Sequence, residues 1–73
     1  MNKGVSITLH PLDADHVLAR IDWREQDAGG GSLSIELVVR NRASAPKSEA
    51  ELEADARALA ARFARAFADT IAE

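Results

Sequence analysis

The chain has 73 residues, no cysteine, and a formal net charge of −3 from 12 acidic and 9 basic side chains. That is room for one domain spanning 1–73. It excludes disulfide staples and thiolate metal clusters, and it lacks the basic excess of a dedicated nucleic-acid binder. A fold this small buries a modest share of its surface, so very regular packing or a second copy is expected to supply stability.

The segment Met1 to Gly4 is polar and has no apolar core of the signal-peptide kind. No apolar run approaches the roughly 20 residues of a membrane span. With no cysteine, a soluble, cytoplasmic protein is the expectation.

Val5, Ile7 and Leu9 alternate with Ser6, Thr8 and His10, the period of a half-buried strand over 5–10. Pro11 and Asp13-Ala14-Asp15 break the pattern and read as a connection. Val17, Ala19, Ile21 and Trp23 repeat the alternation within a second strand over 16–25. Asp27-Ala28-Gly29-Gly30-Gly31-Ser32 then reads as a flexible hairpin turn, because glycine permits positive φ. Leu33, Ile35, Leu37 and Val39 line the inner face of a third strand over 32–40, with Ser34, Glu36, Val38 and Arg40 outward. Asn41 to Lys47, with Pro46, is a polar linker.

The segment 48–72 reads as one helix. Ser48 and Glu51 have the spacing of a capping box. Glu49, Glu51, Glu53 and Asp55 put negative charge at the positive end of the helix dipole. Leu52, Ala56, Leu59, Phe63, Ala66, Phe67 and Thr70 share one face, with Ile71 at its edge. The expected fold is therefore α+β: a three-stranded antiparallel meander, order 1-2-3, with the C-terminal helix packed on one face.

Matching inward residues to inward residues sets trial registers. In the second hairpin, Trp23 pairs with Leu33, Ile21 with Ile35 and Ala19 with Leu37, which brings Arg20 opposite Glu36 and Leu18 opposite Val38. The next register would oppose Asp22 and Glu36, a like-charge pair. In the first hairpin, Leu9 opposite Val17 leaves His10 opposite His16. The expected core is Val5, Ile7, Leu9, Val17, Ala19, Ile21, Trp23, Leu33, Ile35, Leu37, Val39, Leu52, Leu59, Phe63 and Phe67.

The run from His10 to His16 holds two imidazoles and the carboxylates of Asp13 and Asp15. These are metal-ligand types, but the spacing matches no metal motif, and Asp13 and Asp15 read better as turn formers. No metal or cofactor is expected. Catalysis is not expected either: there is no Cys or Tyr, Ser6, Ser32 and Ser34 lie in strands or turns, and one layer of helix on sheet leaves little room for a substrate pocket. The glycine turn precedes a strand, so it is no phosphate cradle.

What remains is surface. Leu18 and Val38, rimmed by Arg20 and Glu36, form an apolar pair on the open sheet face. Arg20, Arg24, Arg40 and Arg42 project toward the same face or its ends, interrupted by Asp22 and Glu36. Ala50, Ala54, Ala61, Ala68 and Ala72 form a small-residue stripe on the helix, readable simply as good helix formers. Along the helix, an acidic start gives way to the bases Arg62 and Arg65.

The leading expectation is a small non-enzymatic protein-binding module with a larger protein or ribonucleoprotein partner. In size and class alone, such chains are typical of phage-encoded inhibitors, anti-CRISPR proteins among them, which occupy the DNA-binding groove of a larger complex. On that reading Glu49, Glu51, Glu53 and Asp55 would meet a basic groove. A second expectation is nucleic-acid binding by the open face through Arg20 and Arg40, by fold-level analogy with the arm-type domains of phage integrases. A third is a homodimeric structural module joined by Leu18 and Val38 or by a sheet edge. No membrane partner is expected.

Overall fold

Alternating apolar residues build the first half of the molecule into strands, and one capping box starts the helix. The computed structural model describes residues 4–25 and 30–72. Strand β1 is Val5–Asp13, β2 is His16–Glu25, β3 is Gly31–Arg40, and helix α1 is Glu49–Ile71. The strands form one antiparallel sheet in the order β1-β2-β3. This is the α+β meander with a C-terminal helix that the hydrophobic periods imply.

The second hairpin has the expected register: Trp23 faces Leu33, Ile21 faces Ile35, Ala19 faces Leu37, Arg20 faces Glu36 and Leu18 faces Val38. Residues 26–29, which include Asp27, Ala28 and Gly29 of the expected glycine turn, lie outside the described residues. Gly30 leaves the turn at φ 88°, a conformation that side chains of L-residues strain to adopt.

The first hairpin differs from the expected register by two residues. Leu9 faces Ala19, and His10 faces Leu18 instead of His16. The strand does not stop at His10 but continues through Pro11 to Asp13. Pro11 is tolerated because β1 is a sheet edge, where a missing N–H breaks little of the ladder. The turn is tighter than the sequence implied. Asp13 Oδ1 accepts the Asp15 N–H at 2.8 Å, closing a two-residue loop of Ala14 and Asp15. Neither residue has positive φ, so the turn lacks the twist of the primed types that favour two-residue hairpins. The register shift between Pro11 and Asp13 absorbs the mismatch.

Helix α1 begins where both partners of the capping box are satisfied. Ser48 Oγ accepts the Glu51 N–H at 3.2 Å, and Glu51 Oε1 accepts the Ser48 N–H at 2.9 Å. The linker before it is tied to the β1–β2 turn: Asn41 N–H donates to the Asp15 carbonyl at 2.8 Å and Ala43 N–H to Asp15 Oδ1 at 3.1 Å. Lys47 N–H donates to Asn41 Oδ1 at 2.8 Å. These bonds fix the start of the helix at one end of the sheet.

The core sits at that end. Val17, Ala19, Ile21, Leu37 and Val39 from the sheet are buried with Leu52, Ala56 and Ala60 from the helix; Ala19 and Ala56 are completely inaccessible. Val5, Ile7, Leu9, Ile35 and Leu59 pack around this cluster, partly buried. Ala56 and Ala60 are core residues absent from the expected core, although the helix period put Ala56 on the inward stripe. Four expected core residues are not in it: Trp23 is 40% exposed, Leu33 38%, Phe63 50% and Phe67 53%. Ala66 and Thr70, on the same expected face, are exposed too.

The physical reason lies in shape. A helix of 23 residues is a straight rod about 35 Å long, while neighbouring strands twist by roughly 20–25°. The rod matches the twisted face over only part of its length. Full burial ends at Ala60; beyond it Ala64 is only partly buried and Phe63 and Phe67 are exposed.

The close approach at the alanines predicts a sharp asymmetry. Ala56→Leu overpacks the helix–sheet contact and lowers unfolding stability by about 1–3 kcal/mol. Ala61→Leu, on the exposed side, changes it by less than about 0.5 kcal/mol. Urea unfolding of both variants measures the difference.

Candidate protein-docking surface

The open face of the sheet is a ladder of paired side chains. His10, Leu18 and Val38 form one rung, Thr8, Arg20 and Glu36 the next, and Ser6, Asp22 and Ser34 a third. The structure thus brings Leu18, Val38, Arg20 and Arg40 onto one face, with Arg40 opposite His16. Val38 is exposed and Leu18 half-buried.

Arg20 is locally committed. Its Nε donates to Asp22 Oδ1 at 3.2 Å, and Ser34 Oγ donates to the same oxygen. The Ser34 hydroxyl first, and Arg20 second, hold the Asp22 carboxyl below the usual carboxylate range. The hollow around them is lined by Gly4, Ser6, Arg20, Asp22, Trp23, Arg24, Ser32 and Ser34. It is mostly polar and carries two arginines against one aspartate. Arg40 and Arg42 lie at the opposite end, around a shallow hollow shared with Asp15 and His16.

The four helix acids do not form one patch. At about 100° per residue, Glu49 and Glu53 share one side of α1, and Glu51 and Asp55 lie on another. Glu51 is engaged in the capping box; the Ser48 backbone N–H, followed by the Ser48 hydroxyl, lowers its pKa. Asp55 accepts a charged hydrogen bond from Lys47 Nζ.

The histidines are also separated. His16 Nδ1 lies 2.8 Å from Asp13 Oδ1, and His10 is across from Leu18. Asp13 is held below its ordinary pKa mainly by the Asp15 backbone N–H and then by His16. Among the described residues no group of three or more His, Cys, Asp or Glu side chains is placed to hold a metal ion.

The most distinctive surface was read from the sequence as core. Leu33 and Ile35 on β3, with Phe63, Ala64 and Phe67 on α1, line an open cleft of ≈ 350 Å³ rimmed by Ser34 and Glu36. One turn beyond Phe67, Ile71 is 65% exposed. Trp23 continues the apolar surface as the cross-strand partner of Leu33. On the helix, Phe63, Ala64, Ala66, Phe67, Thr70 and Ile71 make an uncharged stripe, and Arg65 and Asp69 lie on the far side. Isolated exposed apolar residues are ordinary, but a contiguous apolar surface with a polar rim marks an interaction site.

The sequence did carry a signal for this cleft. Along one helix stripe, Ala56 and Ala60 give way to Phe63 and Phe67. Small residues suit a near neighbour, and large ones reach toward a farther one. The phase of these residues was legible, but the point at which the sheet falls away was not.

The chain matches no protein-family model, no curated protein and no solved structure at a significant level. Among the described residues no helix is long and apolar enough to cross a membrane.

The lowered carboxylates give a pH dependence with a definite sign. The folded pKa values of Asp13, Asp22 and Glu51 lie below their unfolded values. Their contribution is therefore present above about pH 4 and is lost as pH falls through the folded values. The urea midpoint is expected to decline below about pH 4. Glu51→Gln, which keeps an acceptor for the Ser48 N–H, is expected to flatten that decline. Urea titrations between neutral and strongly acid pH check both.

Proposed function

We propose that this chain is a non-enzymatic protein-binding module that docks through the apolar cleft between β3 and the last turns of α1. The observation that carries the reading is the exposure of Phe63 and Phe67 beside Leu33, all on one continuous face. Aromatic anchors beside a cleft, with a polar rim, are the composition of a protein interface core. Among the described residues Glu36 is the one ionisable group lining the cleft, with no second group beside it to form an acid–base pair.

A phage-type inhibitor that docks on a larger nucleic-acid-handling complex is the finer form of this reading. Its acidic contact set is split between two sides of the helix, so the apolar cleft is the surface to mutate first. The nucleic-acid alternative is weakened by the pairing of Arg20 with Asp22.

Tagged chain, incubated with lysate of its native host after nuclease treatment, is expected to retain a protein partner identified by mass spectrometry. Phe67→Asp is expected to reduce capture at least tenfold, whereas Arg20→Ala with Arg40→Ala leaves it unchanged. Capture that survives Phe67→Asp, or that vanishes with nuclease, overturns the reading.

A further inference from the structure

Resting on the protein-binding reading, we infer that the occupant of the cleft is a second copy of this chain, joined through the β3 edge and the C-terminal half of α1. Three independent observations lead there.

The first is area. A folded monomer of 7.8 kDa has an accessible surface of about 4,400 Å² by size scaling. This chain exposes 5485 Å². The excess is about 1,100 Å², against roughly 800 Å² per partner in a standard protein interface. The radius of gyration of 13.8 Å likewise exceeds the roughly 11 Å of a compact chain of this length. The exposed surface is therefore large enough to supply one standard interface.

The second is the edge. Both outer strands present unpaired backbone, but only β1 is blunted, by Pro11 and the register shift after it. Strand β3 runs for 10 residues, Gly31–Arg40, with no proline, no lysine and no register shift. An edge without these protections invites another strand.

The third is coincidence in space. The unprotected edge borders the apolar cleft, whose lining includes Ser34 and Glu36 of β3 together with Phe63 and Phe67. A two-fold interface must be self-complementary, and this one has both parts: an open strand and an uncharged helix stripe. Antiparallel pairing of two β3 strands about Ile35 sets Leu33 against Leu37 of the second copy and Glu36 against Ser34 of the second copy. Inner residues meet inner residues, and no like charges are opposed. The sheet grows to six strands, and the two helices close over the seam through Phe63, Phe67 and Ile71.

Sedimentation velocity over a micromolar concentration series tests this. The wild type is expected to sediment at twice the chain mass. Phe63→Asp and Phe67→Asp each weaken association at least tenfold, with circular dichroism confirming that the fold is kept. Ser34→Glu, which opposes like charges with Glu36 of the second copy across the seam, has the same effect, with the fold again checked by circular dichroism. Hydrogen exchange supplies a second readout: outward amides of β3 are protected in the wild type and exchange freely in Phe67→Asp. A monomer at every concentration, or a dimer unaffected by these variants, overturns the inference. If the chain is monomeric but still captures a different protein in a Phe67-dependent way, the second copy is wrong and the protein-binding reading stands. If it is monomeric and captures nothing, both fail.

Discussion

Everything in this molecule depends on a short stretch where the helix meets the sheet through alanine. Ala19 on β2 and Ala56 on α1 are completely buried, and Ala60 extends the contact by one turn. Side chains this small let helix and sheet come close, and close packing recovers dispersion energy that a looser contact forfeits. The same contact sets where the helix must diverge. A straight rod held tightly to one end of a twisted sheet cannot follow the surface to the other end.

That constraint is reinforced from outside the core. Asp15 accepts backbone N–H groups from Asn41 and Ala43, so the β1–β2 turn holds the linker that launches the helix. The capping box then starts α1 at a fixed residue. Turn, linker and cap together anchor the first turns, and among the described residues no comparable bonds tie the last ones to the sheet. Apolar side chains at the free end are the consequence. Covering such side chains at an interface would add the burial that a short chain with a small core of its own lacks.

The polar surfaces contrast with this one. Asp22 gathers Arg20 and Ser34, Asp13 gathers His16, Glu51 is held in the cap, and Asp55 is joined to Lys47. Exposed pairs of this kind contribute little to stability, but they consume charge that would otherwise face a partner. The apolar cleft between β3 and α1, by contrast, has Glu36 at its rim and no ion pair among the described residues.

The sequence by itself determined the elements. Period-2 alternation named the strands and, with like-charge avoidance, the register of β2 with β3, because both signals are local or span one hairpin. The S-x-x-E pair at Ser48 and Glu51 located the helix start for the same reason. What the sequence could not determine was set by tertiary structure. The tight Asp13–His16 turn goes with a β1 that continues through Pro11 and a first hairpin moved by two residues, because an edge strand tolerates proline. The fate of Trp23, Leu33, Phe63 and Phe67 also waited for three dimensions. Hydrophobic phase says which way a side chain points, but only the relative twist of helix and sheet decides whether anything is there to meet it.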